Sequence, residues 1–210
     1  MATKMIENNN LLLTGTIATP FELSHEVYGE KFYITYLSVM RFSGTVDLIP
    51  VMVSERLVDI KDFGIGDWAR VEGNYRSYNH KSGEKSHLIL TAFARTFESL
   101  NEGEMDDANE IYIEGTVCKL PVYRKTPLGR EIADLLIAVN RSYGKSDYIP
   151  CICWGRNARF ANDFVVGDKV KLHGRIQSRE YTKNFFEDGE FVGSEVRTTY
   201  ELSCSKIERI

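Results

Sequence analysis

Cys151-Ile152-Cys153-Trp154, with Arg141 and Arg156 on either side, is the stretch whose residue types most invite chemistry. Two thiols can ligate a metal or exchange electrons. Zinc-binding cysteines come in pairs about two to four residues apart, with a second pair elsewhere, and Cys118 and Cys204 do not supply one. The histidines, His25, His80, His87 and His173, have no metal spacing either, and the chain shows no nucleophile–base motif and no glycine-rich phosphate loop. Neither an enzyme nor a metal or cofactor is expected. The run YIPCICW reads instead as a strand. Its period of two puts Cys151 and Cys153 on one face with Ile149, as small core groups, and Tyr148, Pro150, Ile152 and Trp154 on the other.

That second face has a different chemistry. Tyr181 follows GRIQSREY, which carries Arg175 and Arg179, and Arg141, Arg156 and Lys183 lie near in sequence. A base stacked on an aromatic ring is held by about 1–3 kcal/mol, while Arg and Lys neutralise phosphates. A lone Tyr is more often core than platform. Three aromatics at strand-compatible positions beside these cations point to a single strand of nucleic acid. Stacking does not sense the 2′-hydroxyl, so DNA and RNA both stay open.

The elements that must position these residues occur twice. Gly15-Thr16-Ile17 answers Gly115-Thr116-Val117, and Gly29 answers Gly129. Val39, Arg41, Gly44, Asp47, Ile49 and Pro50 answer Val139, Arg141, Gly144, Asp147, Ile149 and Pro150. After a one-residue slip, Gly66-Asp67 and Gly73 answer Gly167-Asp168 and Gly174. The repeat predicts a domain over residues 1–97, a linker over 98–110 and a second domain over 111–210. The linker, ESLNEGEMDDANE, has six acids and no base, as a solvated spacer does. Within each copy three strands precede a short helix (SERLVDIKDF, then GRNARFANDFV), and two strands follow. That order is the OB-fold, a five-stranded Greek-key barrel whose strand 2–3 face and loops commonly bind single strands or oligosaccharides. The expected fold is mainly β, two tandem OB barrels with one short helix each.

Composition is ordinary for a globular chain, and no run approaches the roughly 18 apolar residues of a membrane span. The first 15 residues lack a signal peptide's apolar core, so a soluble cytoplasmic protein is expected.

GTVCKLPVYRKTPLGREIADLLIAVNR, DYIPCICWGRNARF and GDKVKLHGRIQSREY, read in that order, resemble the bacterial single-stranded DNA-binding protein family over most of residues 111–210. The resemblance implies stacking of bases on Tyr148, Trp154 and Tyr181, with Arg141, Arg175 and Arg179 on the backbone. It also implies sequence-tolerant binding of single-stranded DNA in replication, recombination or repair. The usual member has one OB domain and forms tetramers, so a homodimer of this two-domain chain is expected to supply the same four barrels. The usual acidic C-terminal tip is not expected here, because the sequence ends CSKIERI.

In the first copy the three stacking positions become Leu48, Ser54 and His80. Residues 1–97 carry 10 basic and 11 acidic side chains, against 16 and 13 in residues 111–210. The first domain is therefore expected to be a scaffold, with Leu48, Pro50 and Met52 as an apolar stripe and Ser54 as a helix N-cap. Phe42, Tyr75, Tyr78 and Arg76 are the candidates for a weaker stacking site. The alternative function is an OB-fold protein-interaction module with little nucleic-acid binding of its own.

Overall fold

The computed structural model describes residues 8–82, 85–101, 106–187 and 189–210. The first half forms β1 (Asn9–Ile17), β2 (Glu22–Val27), β3 (Glu30–Met40), β4 (Val46–Ser54), β5 (Trp68–Ser82) and β6 (Lys85–Ser99). The second forms β7 (Ala108–Val117), β8 (Val122–Lys125), β9 (Glu131–Asn140), β10 (Ser146–Trp154), α1 (Arg156–Ala161), β11 (Lys169–Glu187) and β12 (Glu190–Arg209). Hydrogen bonding runs round the circuit β1–β5–β6–β4–β3 and closes through β3–β1. The circuit β7–β11–β12–β10–β9 closes through β7–β9 in the same way. Each circuit has one parallel contact, β4 with β6 and β10 with β12. These are two tandem OB barrels, as the order of elements predicts.

The repeated glycines mark the closure. A Cβ on Gly15 would lie 2.4 Å from the Ser38 carbonyl oxygen, and one on Gly115 would lie 2.5 Å from that of Ala138. Only a residue without a side chain lets the first strand leave one neighbour and join the other.

Four features differ from the sequence reading. β2 and β8 are additional strands, folded back on β3 and β9 through turns at Gly29 and Gly129, both at positive φ. The expected helix of the first copy is only a 3-10 turn, Ile60–Asp62, capped by Asp59, whose carboxylate accepts the Lys61 N–H at 3.1 Å. Its counterpart α1 buries Ala158 and Ala161, small enough to sit close on the barrel; the first copy offers an exposed Leu57 and β-branched Val58 there. Ser54 closes a turn instead, accepting the Arg56 N–H at 3.1 Å and bonding Glu30. The apolar stripe is also broken: Leu48 is exposed, but Pro50 and Met52 are buried within the chain. Finally, strands enter the acidic segment from both ends, to Ser99 and from Ala108. Asp107 accepts the Met40 N–H at 2.9 Å, so that end is fastened; residues 102–105 lie outside the described residues.

The barrels are joined edge to edge. β1 and β7 pair antiparallel from Asn9↔Ile113 to Thr14↔Ala108, with Leu11 opposite Ile111 near the middle. Equivalent residues thus meet each other, as across a twofold axis, and all twelve strands form one sheet. Asn9 holds the Tyr75 backbone with two 2.8 Å bonds, and Asn109 holds Ile176 in the same way at 2.7 and 2.8 Å.

Two buried clasps reinforce the joint. Arg41 grips Asp47 at 2.6 Å through both Nε and Nη2 and donates to the Ser178 carbonyl at 3.1 Å. Asp47 accepts the N–H and O–H of Ser178 at 2.7 and 2.8 Å. In the mirror arrangement Arg141 pairs with Asp147 and donates to the Ser77 carbonyl at 2.8 Å, while Asp147 accepts the Ser77 N–H at 2.5 Å. The carboxylates are 0% and 2% exposed. Burial pushes the Asp47 carboxyl up, but the Arg41 guanidinium and the Ser178 donors outweigh it and leave the group below its usual range. The repeated Arg and Asp of the sequence thus form a joint between barrels.

Candidate nucleic-acid interface

β10 shows why one strand both fills the core and carries a surface. Asp147, Ile149, Cys151 and Cys153 point inward at 2% exposure or less. The thiols are free, and burial raises Cys151 well above its usual range; a bond to Cys204 and burial do the same for Cys153. They stay protonated at neutral pH and serve as packing. On the other face Tyr148 is 47% and Trp154 37% exposed, while Ile152 is covered. The Trp154 indole N–H donates to Ser203 Oγ at 3.3 Å, which fixes the ring against β12. Gly155, at φ 54, then turns the chain sharply into α1, whose first residue is Arg156.

β11 carries the rest. Arg175, Arg179, Tyr181 and Lys183 are separated by even numbers of residues with no bulge between them, so they share one face of the strand. Tyr181 is 40% exposed. Arg175 pairs in register with Ser203, the same residue that anchors Trp154, so the two patches meet across β12. Arg156, Arg175 and Arg179 make no ion pair among the described residues. Lys183 lies 5.7 Å from the centre of the Phe185 ring.

Arg141 is placed differently from its sequence expectation. Its guanidinium is committed to Asp147 and Ser77 in the clasp, and so it does not offer a free charge to a backbone. Tyr75 is not a surface platform: it is wholly buried, and its hydroxyl has no hydrogen-bond partner among the described residues. The side chain of His80 lies outside the described residues.

Other residues escaped the sequence reading. Arg197 lies opposite Tyr181 and 5.8 Å from the Phe185 ring, tied to Glu195 at 2.8 Å. Phe185 stands where β11 runs on past the end of its counterpart β5, and that added length of the second copy was the available signal. In the first barrel, His25 stacks on Phe32 at 5.0 Å, Phe32 meets Phe93 at 5.9 Å, and the Arg76 guanidinium lies 5.1 Å over Phe93. These come from four strands, and nothing in their spacing along the chain shows the cluster. No helix among the described residues is long and apolar enough to cross a membrane.

The model of the single-strand binding protein family matches residues 108–210, which is the second barrel from the start of β7. That barrel belongs to the single-strand binding protein family. The curated relatives include single-stranded DNA-binding protein 1 of Staphylococcus aureus strain COL and single-stranded DNA-binding protein A of Bacillus subtilis strain 168. Each is 34% identical over 80 residues, 35% of this chain and 48% and 46% of the respective relatives. The chain spans about half the length of the curated relatives it matches. In three dimensions both barrels have a counterpart. The wild-type single-stranded DNA binding protein from Thermus aquaticus superposes with a TM-score of 0.73 at 19% identity, covering 99% of this chain and 94% of that one. At that identity the likeness shows the fold, and the tandem arrangement with it.

Proposed function

We propose that the chain is a non-catalytic single-stranded DNA-binding protein of DNA replication, recombination or repair, with the second barrel as its principal binding surface. The observation that carries this is the outward face of β10 and β11. Tyr148, Trp154 and Tyr181 are exposed there beside Arg156, Arg175, Arg179 and Lys183, within the segment that matches the family. Bases stack on the three rings, and the cations follow the phosphates without reading sequence. The curated relatives are named for the same activity. With an overall formal charge of −4, affinity comes from this local patch and not from the field of the whole molecule.

The test is a titration with oligo-dT at two salt concentrations, following tryptophan fluorescence and the anisotropy of a labelled oligonucleotide in parallel. Quenching, with affinity that falls as salt rises, is the expected result. A salt-independent affinity or no binding would favour a protein-docking module. An equal-length RNA competitor separates the two nucleic acids.

A further inference from the structure

The first barrel contains a cavity of about 590 Å³ that the scaffold reading does not use. Its walls are Ser24 and His25 of β2, Met52 of β4, Arg76 and Tyr78 of β5, and Ile89, Thr91 and Phe93 of β6. Arg141 of the other barrel completes it. The size is that of a small-ligand site, and its walls mix apolar and aromatic side chains with the hydroxyls of Ser24 and Thr91. Its two arginines carry positive charge. Arg141 is neutralised by Asp147, but Arg76 makes no ion pair among the described residues. Its Nε is buried without a hydrogen-bond partner among the described residues, and its Nη2 bond to the Asn74 side chain is long, 3.4 Å. Burial and the neighbouring Arg141 lower the Arg76 pKa from a very high starting value, so the guanidinium remains charged at neutral pH. A half-buried cation with an unpaired donor is costly unless an anion satisfies it.

The cavity also adjoins the proposed binding face. Ser77, between Arg76 and Tyr78, receives the Tyr148 N–H on its Oγ at 2.7 Å. A strand stacked on Tyr148 therefore stands beside Tyr78 and the mouth of the cavity. We infer that the first barrel holds a second segment of the same single strand in this cavity, with a base against Tyr78 and the His25–Phe32–Phe93 cluster and a phosphate on Arg76. The face differs in make-up from the second barrel's platform: Leu48 and Ser54 occupy two of the stacking positions, and Phe93 stands where the second barrel has Ser203. Tyr78 stands in register where the second barrel has Arg179, and the other rings come from β2, β3 and β6. This inference rests on single-strand binding by the second barrel.

The experiment compares oligo-dT of about 8 nucleotides with oligo-dT of about 32, since one OB fold occupies roughly 4–16. Anisotropy gives affinity, and Trp154 quenching, followed in a Trp68→Phe background, reports the second barrel independently. Arg76→Gln keeps the size of the side chain and removes its charge, and Tyr78→Ala tests the ring at an exposed position. Each variant is expected to bind the short oligonucleotide within twofold of wild type and the long one about tenfold more weakly. The salt slope for the long oligonucleotide should also fall by about 0.7 in Arg76→Gln. Unchanged affinity for the long oligonucleotide, or equal losses at both lengths, would overturn the second segment while leaving the second barrel's role intact. If wild type binds neither length, the underlying reading fails with it.

Discussion

Trp154 is held by its indole N–H and remains 37% exposed, which suits the proposed roles of platform and reporter. Trp154→Ala is expected to weaken oligo-dT binding by about 1–3 kcal/mol, with Ser54→Ala, at the matching position of the first barrel, changing it far less. Trp68→Phe removes the other tryptophan, so that fluorescence in that background follows Trp154 alone. Equal losses for Trp154→Ala and Ser54→Ala would contradict the difference between the barrels. The exposed aromatics could be read from sequence because a strand's period of two separates Tyr148 and Trp154 from the cysteines between them. Arg141 could not. The serine it binds is 64 residues away along the chain, in the other barrel. A cation's charge shows in sequence; whether that charge is already taken depends on contacts between distant segments.

β11 works as an element, its cations and Tyr181 spaced along one face. Arg175→Ala and Arg179→Ala should each flatten the log–log dependence of affinity on salt by about 0.7 while leaving the fold intact, since neither makes an ion pair among the described residues. A change in melting temperature without a change in slope would assign them a structural role. The glycines of β1 and β7 act at the same scale. Gly15→Ala places a methyl against the Ser38 carbonyl and is expected to cost about 1–3 kcal/mol, measured by urea unfolding. Strand order and barrel closure were legible because these glycines recur in register. The first copy's helix was misread because Leu57 and Ile60 have helical spacing. Ser54 and Asp59 instead give their side chains to nearby backbone N–H groups, which favours turns.

At the scale of the whole molecule the clasps decide how the barrels sit. Asp47→Ala strands Arg41 and the Ser178 N–H and is expected to cost about 3–5 kcal/mol, with faster proteolysis between the barrels. Because the Asp47 carboxyl titrates below its unfolded value of about 3.9, its contribution is fully present above about pH 4 and is lost as pH falls through the folded value. Asp47→Asn should therefore flatten the acid limb of the stability profile. Light scattering tests the expected homodimer; with Pro50 and Met52 buried, that expectation now rests on symmetry alone, and a monomer mass at micromolar concentration would remove it. None of this joint was visible beyond the repeated Arg and Asp, because a repeat shows that two units are alike and not which edges they share. The β1–β7 pairing of equivalent residues has one more consequence. Two identical faces related by a twofold axis meet a strand alike whichever end arrives first. Here the faces differ, so the molecule has a sense of direction: a 5′-labelled and a 3′-labelled oligonucleotide should give unequal energy transfer to a dye placed on the first barrel.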